Sequence, residues 1–245
     1  MAYRYYSSQT LPEVPATVTL SGDEAHHLIH VMRVKAGQGI VLFDGSGAEF
    51  DGLISAVRKK EMDVELSTRR EVSRENERRL TLAVALPKGD RQKWLVEKIT
   101  ELGVTEFLPL DAEFSVAKAG AAAAERLGRV VIEASKQCGR NTLLRIAEPI
   151  STQKLWTMPA EGTLRLLSHP GGVSLGEALS QNAEAPVLAA VGPEGGFSEK
   201  ECALALANGW QAVSLGRRIL RTETAAIAIA AMLSSWPGNL PNVGR

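Results

Sequence analysis

The strongest constraint on how this chain can fold is a change of hydrophobic rhythm on either side of residues 69–79. That stretch, Arg-Arg-Glu-Val-Ser-Arg-Glu-Asn-Glu-Arg-Arg, is polar apart from Val72. Before it, apolar residues come in short extended runs broken by turn residues, at 16–20, 39–43, 49–57 and 62–66. After it, apolar runs of strand length alternate with stretches of helical period. A switch of period across a charged run marks a domain boundary, so residues 1–72 and 73–245 are expected to fold as two domains. With 245 residues, 44% of them hydrophobic and 23% charged, both parts have enough apolar material for a core.

The first part is expected to be rich in β-structure. Asp44-Gly45-Ser46-Gly47 between two apolar runs is a hairpin signal. One helix interrupts the strands, opening near Ser21 with Asp23 and Glu24 in its first turn, where acids suit the positive end of the helix dipole.

In the second part, Leu80–Leu86 has the composition of a buried strand. Leu95, Ile99 and Leu102 then recur at helical spacing, and Gly103 is placed to close that helix in a left-handed conformation. Val104–Leu110 is the next strand. A long helix follows, with Leu127, Val130, Val131, Ala134 and Cys138 on one apolar stripe and Arg126, Arg129, Glu133, Lys136 and Arg140 on the other side. Later strands fall at Thr163–Leu167, Val187–Val191 and Trp210–Leu215. Such alternation predicts an α/β domain with a mostly parallel sheet covered on both faces.

Strand Val187–Val191 runs into Gly192-Pro193-Glu194-Gly195-Gly196-Phe197, after which Ser198 and Glu201 form a capping box. A glycine-rich turn between a strand's carboxyl end and a helix is where open α/β sheets bind ligands, although a plain tight connection has the same composition. No phosphate-binding Gly-x-x-x-x-Gly-Lys motif occurs. Glu194 would repel phosphate and suits a cationic or hydrogen-bond-donating ligand such as a sulfonium. The next connection, Gly216-Arg217-Arg218-Ile219-Leu220-Arg221-Thr222-Glu223-Thr224, sets three arginines at a strand's end, a pattern suited to phosphate or carbonyl-rich rings or to a solvated patch. Thr222 is the expected cap of a helix carrying Ile229, Met232, Leu233 and Trp236, apolar enough to be buried in the domain or at a subunit interface. Lys88-Gly89-Asp90-Arg91 and Gln137-Cys138-Gly139-Arg140-Asn141 are further polar loops, and His169 lies at another strand's end.

Other classes are disfavoured. The 28 basic and 28 acidic residues balance, which argues against a general nucleic-acid binder. Cys138 and Cys202 form no Cys-x-x-Cys pair, and His26, His27 and His30 lack a third ligand of clear spacing, so no metal is expected. The start, Met1-Ala2-Tyr3-Arg4-Tyr5-Tyr6, has no signal-peptide core and no run suits a membrane span, so a cytoplasmic protein without membrane association is expected.

Taken together, Gly192–Ser198, Leu215–Ala225, Lys98-Thr100-Glu101-Leu102-Gly103 and Gln137–Arg140 resemble the small-subunit ribosomal RNA uridine-N3 methyltransferases of the SPOUT superfamily. Arg4-Tyr5-Tyr6, Asp23-Glu24, His27-Leu28, Val31-Met32-Arg33 and Phe43-Asp44-Gly45 extend the likeness to that family's amino-terminal domain, so it spans nearly the whole chain. Lys136 departs from it, standing where relatives often carry an acid. The resemblance implies an α/β fold in which a small PUA-like β-barrel RNA-binding domain precedes a knotted (trefoil) SPOUT methyltransferase domain. It implies S-adenosyl-L-methionine bound by Leu167, His169, Gly192, Glu194, Gly195, Gly196, Leu215, Gly216, Ile219, Leu220 and Thr224. Arg221 would stabilise the uracil anion, and Glu194 or Glu223 would accept its proton. Arg4, Arg33, Lys88, Arg91, Arg140 and Arg217 would hold RNA. The expected partners are small-subunit ribosomal RNA or the assembled small subunit, and a second copy in a homodimer. The rival expectations are a SPOUT ribose 2′-O-methyltransferase and a non-catalytic RNA-binding protein.

Overall fold

The computed structural model describes residues 3–118 and 120–236. They form two compact units, the first running to Glu75 and taking in Ser135–Leu143, the second holding the described residues of Asn76–Ala134 and those from Leu144 onward. The return of residues 135–143 to the first unit is absent from a division at residue 72, because that segment is contiguous in sequence with a helix of the second.

The first unit contains β1 (Tyr3–Tyr6), β2 (Ala16–Ser21), α1 (Gly22–His26), a π-helical turn over His27–Val31, β3 (Gly39–Phe43), β4 (Ala48–Val57) and β5 (Glu61–Glu71). The strands form one sheet in the order β1-β3-β4-β5-β2, with β1 and β3 parallel and the other pairs antiparallel. Asp44–Gly47 makes the expected β3–β4 turn. In β5, Met62, Val64 and Leu66 are buried while Glu65 between them is exposed, the period-two pattern of a sheet with one wet face. Register shifts at Asp51/Gly52 and Ile54/Ala56 bend β4 and curl the sheet around Leu28, Ile40, Leu42, Phe50 and Ile54.

The polar run 69–79 is not a loose linker. Its start belongs to β5, and most of its charges are spent on fixed partners. Glu49, 3% exposed, accepts Arg4 Nη1 at 2.9 Å, Arg74 Nη1 at 3.2 Å and Arg70 Nη2 at 3.2 Å. Burial pushes the Glu49 carboxyl up, but hydrogen bonds from Arg74 and Arg4 outweigh it and hold the group below the ordinary carboxylate range. Arg140, 2% exposed, donates Nε to Glu75 at 2.9 Å. Lys136 lies 3.0 Å from Glu24 with its ammonium 5.2 Å from the Tyr5 ring centre. Lys136 and Arg140 therefore face into the first unit, whereas the helical wheel sets them on the polar side of α3.

In the second unit follow β6 (Leu80–Ala85), α2 (Arg91–Glu101), β7 (Glu106–Asp111), α3 (Ala121–Cys138), β8 (Arg145–Ile146), β9 (Ile150–Ser151) and α4 (Thr152–Thr157). Then come β10 (Leu164–Ser174), α5 (Leu175–Ser180), β11 (Val187–Val191), α6 (Glu199–Ala207), β12 (Gln211–Ser214) and α7 (Thr222–Ser234). All seven strands are parallel, in the order β12-β10-β11-β6-β7-β8, with β9 also on β7. Every residue of β11 is buried, which is why it appears in sequence as an unbroken apolar run. Gly103, at φ 75°, ends α2 one residue past its Leu102 cap, as its sequence position suggested. From β12, the outermost strand, the chain returns so that α7 packs against α2, β6 and β11. No described helix is long and apolar enough to cross a membrane.

Candidate active site

The carboxyl ends of β10, β11 and β12 open onto one cavity of about 170 Å³. Each wall has a local cause. After β11, the Gly196 N–H donates to the Pro193 carbonyl at 2.9 Å with Gly196 at φ 75°, closing a tight turn that an L side chain would strain. The next residues are locked by α6, where Glu201 N–H donates to Ser198 Oγ at 3.3 Å and Ser198 N–H to Glu201 Oε2 at 2.8 Å. In β10 the register with β12 breaks between Ser168 and Val173, which throws Ser168, His169 and Pro170 into the cavity wall. His169 Nδ1 accepts the Gly171 N–H at 3.1 Å, which fixes the ring against its own loop. Phe197 forms the back wall, its ring 5.4 Å from Trp156, which lies 4.6 Å from Trp210.

Of the residues expected to hold a cofactor, His169, Gly192, Glu194, Gly196, Leu215, Gly216, Ile219 and Leu220 line this cavity. Leu167 is 1% exposed in the sheet behind it, while Gly195 and Thr224 lie outside its lining. Arg217, expected to touch RNA, is part of the wall. Phe197, Ser214 and Arg218 also line it; Phe197 and Arg218 belong to the two loop motifs, whereas Ser214, at the end of β12, belongs to neither. Thr222 is the first residue of α7 and Arg221 is its N-cap, without a side-chain capping bond. The Thr222 hydroxyl instead donates to the Gly192 carbonyl at 3.0 Å and ties two cavity loops together, which corrects the capping role expected of it.

The three charged groups proposed for chemistry sit differently. Arg91 Nη1 donates to Glu194 Oε1 at 2.7 Å and lies 3.5 Å from Glu223 Oε1, so one guanidinium spans both carboxylates. The hydrogen bond to Glu194 raises the Arg91 guanidinium above its ordinary value. Glu194 is half-exposed in the cavity wall, whereas Glu223 is 4% exposed and its Oε2 has no hydrogen-bond partner among the described residues. Arg221 is exposed, with no ion-pair partner among the described residues.

The glycine loop has one support that the sequence signalled only in part. Glu201, expected from the capping box, also accepts the Glu113 N–H at 3.0 Å and the Thr152 hydroxyl at 2.8 Å. It clamps the residues after β7 and the start of α4 to the start of α6. These are contacts between segments far apart in sequence, which local spacing does not encode.

Among residues expected to hold RNA, Arg4 and Arg140 are committed to the buried network around Glu49 and Glu75, and Arg91 to the two carboxylates. Arg33 and Lys88 are exposed without ion-pair partners among the described residues. Arg33 has φ 53°, uncommon outside glycine, and follows the turn whose His30 Nε2 lies 3.1 Å from the Lys59 carbonyl. Lys35, Lys59 and Lys60 are likewise exposed and unpaired among the described residues. No group of three or more His, Cys, Asp or Glu able to hold a metal occurs among the described residues.

A family model described as an RNA methyltransferase domain matches residues 74–234, and one described as an RNA methyltransferase PUA domain matches residues 20–67. The chain belongs to the RNA methyltransferase family. A Synechocystis relative named ribosomal RNA small subunit methyltransferase E is 37% identical to this methyltransferase over 243 residues, covering 96% of this chain and 78% of the relative. The Neisseria gonorrhoeae enzyme of the same name, solved bound to S-adenosyl methionine, has TM-score 0.88 and 33% identity over 96% of this chain and 98% of its own. A Legionella pneumophila methyltransferase solved with bound cofactor SAM has TM-score 0.89 and 32% identity over the same shares. The methyltransferase thus combines a PUA-like front domain with an α/β domain of the SPOUT kind.

Proposed function

We propose that this methyltransferase modifies N3 of a uridine in small-subunit ribosomal RNA, with S-adenosyl-L-methionine as methyl donor. The observation that carries the reading is a cavity to which three strand-end loops contribute in a chain of this family. Its residues fit the cofactor. Leu215, Leu220 and Phe197 offer apolar surface to a purine, the backbone about Gly192 and Gly216 offers hydrogen bonds, and Glu194 brings a negative charge that suits a sulfonium and not a phosphate. Bound there, the cofactor supplies an electrophilic methyl group.

The chain's own residues must then unmask N3, which carries a proton in neutral uracil. Glu194, in the cavity wall and oriented by Arg91, is the better placed acceptor; Glu223 shares the same guanidinium from a buried position. Arg221, exposed beside the cavity loops and free of ion pairs among the described residues, is the donor to a uracil carbonyl as negative charge develops. A paired target base must leave its stack to reach this site. Arg33, Lys35, Lys59 and Lys60 form the phosphate-binding surface of the front unit, with Lys88 and Arg217 serving the second. The same reading includes a cytoplasmic homodimer, for which α7 with its exposed Met232 offers a surface, and the trefoil knot that a SPOUT domain implies.

The test is methyl transfer from labelled cofactor to small ribosomal subunits and to stripped RNA, followed by nucleoside mass spectrometry. A methyl group on the uracil base is expected. A mark retained on ribose would make the protein a 2′-O-methyltransferase, and absence of cofactor binding in calorimetry would leave only an RNA-binding protein.

A further inference from the structure

Phe114 is a large aromatic side chain left 47% exposed, three residues beyond the end of β7. Exposed apolar side chains are ordinary on flexible loops, but this loop is fixed. The Ala112 N–H donates to Ser115 Oγ at 2.9 Å, the Ser115 N–H to the Ala112 carbonyl at 3.0 Å, and the Glu113 N–H to buried Glu201 at 3.0 Å. Phe114 is also seated against the glycine loop of the cavity. A β-carbon on Gly195 would stand 3.3, 3.6 and 3.7 Å from Phe114 Cβ, Cγ and Cδ2. Gly195 has no positive φ, so the backbone does not require glycine there; the tight approach is to Phe114, which would have to give by a few tenths of an ångström to admit a side chain. β7 and β11 are parallel strands of one sheet with β6 between them, so their following loops emerge at the same end. The loop after β6 carries exposed Lys88, and Lys118, 82% exposed and at 3.9 Å only loosely paired with Asp111, follows Phe114 in its own loop.

We propose that Phe114 is a stacking platform for a nucleobase of the RNA substrate beside the cofactor cavity. Rigid aromatics among exposed cations are how proteins hold unpaired nucleotides, because every base offers a π-face and every linkage a phosphate. A fixed ring loses little freedom on stacking, so the contact turns directly into affinity. Phe114 is a substrate-positioning residue and takes no part in methyl transfer. The inference rests on the RNA substrate proposed above.

The test compares Phe114→Trp, Phe114→Leu and Phe114→Ala in the full chain, using a short uridine-containing RNA and an otherwise identical abasic RNA. Leucine keeps apolar packing on Gly195 and lacks the π-face. The expected result is that Phe114→Leu and Phe114→Ala bind the uridine RNA about ten-fold more weakly while Phe114→Trp binds at least as well as the parent. All four proteins should bind abasic RNA alike, and calorimetry should give Phe114→Leu the parent's cofactor affinity. Equal binding of uridine RNA by Phe114→Leu and the parent overturns the proposal. So does a loss of the same size on abasic RNA, or a Phe114→Leu effect confined to oligomeric state. A parent that binds RNA without methylating it would refute the activity and leave the stacking contact standing.

Discussion

Replacing Glu201 with alanine should cost far more than the loss of a helix cap. Its carboxylate serves the Ser198 N–H at 2.8 Å, the Glu113 N–H at 3.0 Å and the Thr152 hydroxyl at 2.8 Å, and the residue is 9% exposed. Alanine strands all three donors. At about 1–3 kcal/mol for each unsatisfied buried group, reduced where water enters the space vacated, the loss is about 3–5 kcal/mol. Glutamine keeps the volume and one acceptor oxygen but turns an NH2 toward a donor, for a loss of about 1–2 kcal/mol. Urea unfolding followed through buried Trp156 and Trp210 measures both. The pH dependence is a second check. Burial pushes the Glu201 carboxyl up, but hydrogen bonds from Ser198, Thr152 and Glu113 outweigh it and hold the group below its ordinary value. A depressed carboxyl contributes stability that is fully present above the unfolded value and is lost as pH falls through the folded one. The gap between parent and Glu201→Ala should therefore narrow in acid. A loss below about 1 kcal/mol near neutrality, or a gap unchanged across the carboxylate range, would refute a clamp made by the ionised carboxylate.

Other expectations follow from the same geometry. Arg221→Ala should lower kcat about 10²-fold while cofactor affinity in calorimetry stays at the parent value, because Arg221 is outside the cavity lining; an unchanged kcat would remove its anion-stabilising role. Of Glu194→Gln and Glu223→Gln, the one replacing the proton acceptor should lose about 10²- to 10⁴-fold in kcat, and single-turnover rates should assign that loss to Glu194. Gly172→Ala would set a β-carbon 2.4 Å from the backbone of Ala212 and Val213, so a thermal melt should show a stability loss of about 2–3 kcal/mol. Replacing Lys59 and Lys60 with glutamine should weaken RNA binding evenly across sequences and reduce the slope of log K against log salt by about 0.7 per lost single-strand phosphate contact.

The sequence carried those parts of the fold that are written in period and in turn chemistry. β3 and β11 lie where their apolar runs are, Gly103 closes α2, and the Ser198–Glu201 capping box opens α6. These features depend on residues within one or two turns of each other. The parts that were not legible depend on what the chain meets after folding. Thr222 has the composition of an N-cap, but Gly192, thirty residues earlier, supplies a carbonyl that the hydroxyl takes instead. Arg140 sits on the polar side of a helical wheel, yet Gly139 at φ 85° ends α3 before it and turns the side chain toward Glu75. The cavity loops were legible because glycine and proline punctuate strand ends. The Arg91 bridge was not, because Arg91 at the start of α2, Glu194 in the glycine loop and Glu223 at the start of α7 are far apart in sequence.

Charge is where this difference bears on function. Residues 1–72 carry eight basic and ten acidic side chains, a balance that by itself disfavours an RNA surface. The structure divides those charges unevenly. Arg4 and Arg70 go to Glu49, Arg70 also to Asp51, Arg58 to Glu61 and Asp63, and Arg69 to Glu71. Every acid so used neutralises an arginine inside the unit or on the β4–β5 face. Arg33, Lys35, Lys59 and Lys60 are left exposed and unpaired among the described residues, two beside the π-helical turn and two on the β4–β5 turn that His30 joins to it. A domain of negative net charge can thus present a basic turn, because Arg4, Arg58, Arg69 and Arg70 take up acidic partners while Arg33 and the three lysines keep their charge unpaired among the described residues. Paired arginines hold shape through directional forks, whereas unpaired lysines act as point charges on flexible stems. The first suits the frame of the front unit; the second suits phosphates whose positions the frame need not match in advance.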